Sequence, residues 1–212
     1  MTPVLALLAL IANLTGLVSV YDAAADFSIA SNPAPGGEWS YGWEPKLGAE
    51  LRLYKRPYQT LYWGARVAGW SVSGQGPQHG ESCCPFVARN ISSSTIEITG
   101  GAIRPGQLWF HPGPQGEYSV VRWTCPAPGH YRVTARFEAL GPATTDVHIL
   151  RNDQALGEEA LGRNAAAHDF SFESLEIYAR DRLDFAVGYG ANRNYYSDIT
   201  GLAVTIREIS TK

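Results

Sequence analysis

Trp39, Tyr41 and Trp43 are the residues of this sequence whose types and spacing point most directly to a chemistry. In an extended chain, side chains two residues apart share a face. A row of flat aromatic rings on a sheet is what stacking against the apolar C–H face of a pyranose requires. Gly42, between them, would let a ligand or a second backbone approach closely. The same three side chains also suit the interior of a sandwich, because Trp and Tyr are mostly buried. A second candidate is the run Asn192-Arg-Asn-Tyr-Tyr-Ser-Asp198, a polar loop studded with aromatics. With the preceding Tyr189, its Asn192, Asn194 and Tyr195 supply hydrogen-bonding groups and ring platforms that suit sugar hydroxyls. The plainer reading of that loop is a Tyr-rich turn with Asx caps. His111, ahead of Pro112-Gly113, and Arg122 are further donors for a ligand hydroxyl, although the plainer reading of His111 is a cap on its own turn.

Catalytic patterns are missing. There is no Gly-x-Ser-x-Gly elbow, no His-Glu-x-x-His and no P-loop. Glu158 and Glu159 are adjacent on an expected loop, so their carboxylates would point apart rather than flank one bond. The expectation is a protein that is not an enzyme. A net charge of −3, with no dense Lys/Arg cluster, argues against a nucleic-acid partner. The best basic run, Arg52-Leu-Tyr-Lys-Arg56, reads as a solvated strand edge.

The first 25 residues read as a signal peptide or an N-terminal apolar segment. Residues 4–20 are apolar, and Ala23 and Ala25 offer a small-x-small cleavage site, but no Lys or Arg precedes the apolar run. Export makes an oxidised cysteine pair the expectation. Of Cys83, Cys84 and Cys125, the last is expected to bond to Cys84 or its neighbour Cys83. Secretion or display at the cell surface follows from the same reading.

The elements that must position these groups are strands. In residues 129–139, Tyr131, Val133, Ala135 and Phe137 alternate with Arg132, Thr134 and Arg136, the period of a half-buried strand. Leu183, Phe185 and Val187 alternate in the same way, as do Leu202, Val204 and Ile206, and these are the expected core. Gly- and Pro-rich turns separate about a dozen such segments, one of them a long strand over 60–72. With 45% hydrophobic residues over 212 positions, residues 26–212 read as one all-β domain, an antiparallel β-sandwich of jelly-roll type.

The ordered set Trp39-Ser-Tyr-Gly-Trp43, Leu108-Trp-Phe-His-Pro-Gly113, Val120-Val-Arg-Trp-Thr-Cys-Pro-Ala-Pro-Gly129, Asp184-Phe-Ala-Val-Gly-Tyr-Gly190 and Tyr196-Ser-Asp-Ile-Thr-Gly-Leu202 resembles a jelly-roll domain of secreted bacterial proteins. That domain is of unknown function, is similar to carbohydrate-binding modules and often carries a C-terminal sorting tail. The resemblance spans residues 26–209, with two departures: no such tail follows Lys212, and Cys125 replaces a small residue. It implies export and, by analogy, sugar binding. It also implies a structural calcium, for which Asp26 and Asp198 are the candidate ligands where first and last strands meet. The expected function is therefore a secreted, non-catalytic carbohydrate-binding-like module whose partner is a glycan or an extracellular matrix polymer. The alternative is an extracellular structural or surface-assembly protein that self-associates through its sandwich or its N-terminal segment.

Overall fold

The computed structural model describes residues 18–162 and 167–209. Among them are sixteen strands: β1 (Val20–Asp22), β2 (Trp39–Glu44), β3 (Arg52–Leu53), β4 (Arg56–Tyr62), β5 (Ala65–Ser71), β6 (Phe86–Asn90), β7 (Ile96–Ile98), β8 (Gly101–Ile103), β9 (Leu108–His111), β10 (Tyr118–Thr124), β11 (Gly129–Ala139), β12 (Thr145–Arg151), β13 (Gln154–Leu161), β14 (Ala167–Ile177), β15 (Arg182–Gly188) and β16 (Thr200–Ile209). One sheet has the order β14-β11-β16-β9-β6-β5-β4, with β1 also paired to β16. The other runs β13-β12-β15-β10-β2-β3, and β7 with β8 forms a separate ribbon. From β9 to β12, and again from β14 to β16, successive strands alternate between the two main sheets. The result is the expected antiparallel β-sandwich of jelly-roll type.

The alternation read from the sequence is what faces the sheets toward each other. Tyr41, Val121, Phe185 and Ile149 lie opposite one another across four strands and form one buried row. On the facing sheet, Phe137 lies opposite Leu202, Ala135 opposite Val204 and Val133 opposite Ile206. All the core residues expected in β11, β15 and β16 are buried.

Four local expectations need correction. The strand expected over 60–72 is a hairpin, with Trp63-Gly64 as a two-residue turn between β4 and β5. Glu158 and Glu159 lie in edge strand β13, not on a loop. That strand is exposed along most of its length, so no apolar alternation marked it. The sandwich begins before Asp26: β1 pairs with β16, and Ala23 is fully buried in the core. Residues 1–17, which carry most of the expected apolar segment, lie outside the described residues. Finally, Cys83, Cys84 and Cys125 are all free and buried, so the Cys84–Cys125 bond is not formed. Cys125 packs in the core between the sheets, whereas Cys83 and Cys84 belong to a second cluster on the outside of one of them.

Candidate functional site

That second cluster builds the site. In β9, Leu108 and Phe110 point into the sandwich, so Trp109 and His111 must point outward; in β6, Val87 points inward and Phe86 and Ala88 outward. At β6 and β9 the outer face of the larger sheet is therefore as apolar as its inner face and has to be covered. Ile96 and Ile103 of the β7–β8 ribbon cover part of it, with Leu140 and Tyr195 from loops. Cys83 and Cys84 close another part, at the end of a 3₁₀ segment (Pro77–Cys83) that bends at Gly80.

Coverage is incomplete, and a crevice of about 340 Å³ remains. Its floor is Trp109, Phe86 and His111. Tyr62 and Trp63 wall one side, and Tyr195 and Tyr196 wall another, with Glu81 nearby on the 3₁₀ segment. Tyr62 stacks on Trp109 with centroids 5.8 Å apart, and Trp63 meets Tyr62 edge-on at 6.3 Å. Tyr195 and Tyr196 lie 4.5 Å apart, and Tyr195 meets the His111 ring edge-on. Trp63 is 75% exposed and has φ 49. Together with Gly64 at φ 82, it makes the two-residue turn with both residues left-handed, a position that favours Asn and Gly.

The crevice carries little charge. His111 Nδ1–H donates to the Pro112 carbonyl at 2.8 Å, which leaves Nε2 as the lone-pair nitrogen of the neutral ring. Burial pushes its pKa down to about 4. The Glu81 carboxylate accepts from the Tyr196 hydroxyl at 3.3 Å. Burial, with Glu81 close by, pushes the Tyr195 phenol upward. Trp109 Nε1–H and the Tyr58 hydroxyl are buried without a partner among the described residues. The Cys83 and Cys84 sulfurs lie 3.7 Å apart, and Cys84 Sγ is 3.5 Å from His111 Nδ1. The Cys83 contact and burial both push the Cys84 thiol upward, so it stays protonated.

Of the candidate ligand residues, the structure brings His111 and Tyr195 to this crevice. Tyr189 packs at the edge of the same cluster. Asn194 stands behind the wall, its Oδ1 accepting the Tyr196 N–H at 3.0 Å, while Asn192 donates to Thr144 Oγ1 at 2.7 Å, away from the cavity. Trp39 and Tyr41 are corrected: at 2% and 0% exposure they are core, packed against Phe185 and Phe27. Trp43 is half-buried, with the Arg52 guanidinium 4.7 Å over its ring, in the opposite sheet. Arg122 is locked in a bidentate pair with buried Asp184, at 2.5 and 2.8 Å, on the outer face of the smaller sheet.

The two carboxylates expected to share a calcium have separate protein partners. Asp26 accepts from Trp39 Nε1–H and from the Asp22 N–H. Asp198 accepts from the Thr144 N–H at 2.7 Å, and burial pushes its pKa up to about 6. No group of three or more His, Cys, Asp or Glu side chains placed to hold a metal occurs among the described residues.

Sequence reasoning missed Tyr62, Trp63, Trp109, Phe86 and Glu81. The one signal for them was Gly64, a turn residue inside an otherwise strand-like run.

No protein-family model matches the chain, and no curated protein matches its sequence. Among solved structures, rabbit GITRL is similar over 43% of this chain and 73% of its own, at 15% identity and TM-score 0.30. A family 35 carbohydrate-binding module from Clostridium thermocellum matches 53% of this chain and 85% of its own, at 11% identity and TM-score 0.35. The CBM36-1 domain of a multidomain xylanase from the hindgut metagenome of Trinervitermes trinervoides covers 56% and 87%, at 8% identity and TM-score 0.32.

Proposed function

We propose that this protein is an extracellular or cell-surface, non-catalytic glycan-binding module whose site is the crevice walled by Tyr62–Trp63 and Tyr195–Tyr196. The observation that carries this reading is Trp63. A large aromatic side chain left mostly exposed at a left-handed turn position gains no net stability, its small burial being offset by backbone strain, so an aromatic-stacking ligand is the reason for it that chemistry supplies. The volume of about 340 Å³ is at the small end for ligand sites, which fits a chain terminus better than the flank of a polymer. Among the described residues Glu81 is the one carboxylate lining the crevice, whereas glycoside hydrolysis uses a pair across the scissile bond. A glycan array probed with the full 212-residue chain tests the reading. Retention of glycans with a shared terminal residue supports it, and an empty array overturns it. Self-association is a second reading, favoured by exposed Leu61 on edge strand β4 beside Trp63. A mass that rises with concentration in light scattering would support it, and a monomer at all concentrations would remove it.

A further inference from the structure

We propose that the crevice selects a positively charged ligand group: the ammonium of a terminal amino sugar, or a quaternary ammonium carried on a glycan. This deepens the glycan-binding reading and rests on it. Among the described residues, Glu81 lines the cavity wall and no Lys or Arg does. An aromatic ring presents a negative face, so Tyr62, Trp63, Tyr195 and Tyr196 add to the carboxylate instead of opposing it. Within each pair the rings are close together, at 6.3 Å for Tyr62–Trp63 and 4.5 Å for Tyr195–Tyr196, so a cation over one ring lies near its neighbour as well. A uronate or sulfate would instead meet a carboxylate and π faces with no basic partner, and would lose its hydration for nothing in return.

One further group fits the same ligand. His111 is held neutral by burial, so it does not repel a cation, and its Nε2 lone pair is free to accept a hydrogen bond from an ammonium or a hydroxyl. An acceptor on the floor, aromatic rings on the walls and a carboxylate at the side together describe a site for a cationic, hydroxylated ring.

Calorimetric titration of the 212-residue chain in mildly acidic buffer, where the amine is protonated, tests this. The probes are glucosamine, glucose, N-acetylglucosamine, choline and dimethylbutanol, the neutral isostere of choline. Glucosamine is expected to bind about thirtyfold more tightly than glucose or N-acetylglucosamine, and choline more tightly than dimethylbutanol by the same factor, equivalent to about 2 kcal/mol. In Glu81→Gln, on an exposed segment, both preference ratios should fall about tenfold. Equal binding of charged and neutral sugars overturns the charge selection and leaves glycan binding standing. Choline binding with no sugar binding keeps the charge selection and removes the glycan. Binding of none of the probes, together with an empty glycan array, overturns both.

Discussion

Replacing Trp63 by Asn separates a ligand-binding role from a structural one. Asn is the residue best suited to the first position of a two-residue turn with both residues left-handed, and Gly64 already fills the second. A fully buried Trp covers roughly 250 Å² of surface, so a side chain left 75% exposed buries about 60 Å². At about 25 cal/mol per Å², its removal costs about 1.5 kcal/mol. Relief of a bulky residue from φ 49 returns about 1–2 kcal/mol. The two cancel to within about 1 kcal/mol, so the urea midpoint of Trp63→Asn should stay near that of the parent. Ligand affinity should fall about tenfold or more, because loss of a stacking aromatic at a binding hot spot costs about 1–3 kcal/mol. A loss of stability beyond about 2 kcal/mol would make Trp63 a structural residue and refute the cancellation. Unchanged affinity for a glycan that the parent retains would refute the placement of the site.

Three other outcomes follow from buried polar groups and thiols. Burial, reinforced by the Asp184 charge, pushes Glu44 from 4.5 to about 7, against the Gly48 N–H and Arg122, which favour its ionised form. The folded state therefore binds more protons than the unfolded one between those values, and Glu44 makes stability fall as pH rises through that window. Glu44→Gln should gain relative to the parent across it, by about 3 kcal/mol when complete, and parallel pH–stability curves for the two proteins would contradict this. Arg122→Ala leaves Asp184 and Glu44 buried without their cation and should cost about 3–5 kcal/mol by urea denaturation. A mild loss accompanied by reduced glycan affinity would instead return Arg122 to the ligand site. All three cysteines should resist a bulky alkylating reagent in the folded protein and react once it is denatured. An unreduced mass lighter by two hydrogens would show a bond that the structure lacks.

The strand alternation was legible because one face of β11 and β16 is wet: Arg132, Thr134 and Arg136, and Ala203 and Arg207, mark the outside by contrast. Where both faces are covered, that contrast disappears. Leu108-Trp-Phe-His111 and Phe86-Val-Ala88 are apolar throughout, so nothing in their order says that the Trp109 and His111 side belongs to a second cluster with a cavity in it. The period-two reading of Trp39, Tyr41 and Trp43 places them on one face correctly. Period alone does not say whether that face meets solvent or the opposite sheet, and here it meets the core. The cysteines failed for a related reason. Pairing was inferred from number and compartment, but Cys125 and Cys84 lie on opposite sides of a sheet, which no count of residues encodes.

The hairpin at Trp63 shows why the site itself was harder to read than the fold. Thr60-Leu-Tyr-Trp63 is rich in β-formers, and propensity alone carries a strand straight through it. Only Gly64 breaks the run. A fold is legible where local preference and tertiary position agree, and Trp63 is a place where they conflict: a β-former in a left-handed turn, exposed instead of packed. Such a conflict persists when something other than folding stability favours the residue. Tyr62, which stacks on Trp109, and the Tyr195–Tyr196 pair line the same crevice as that side chain, so a ligand stacked on Trp63 would have further aromatic rings within the same cavity.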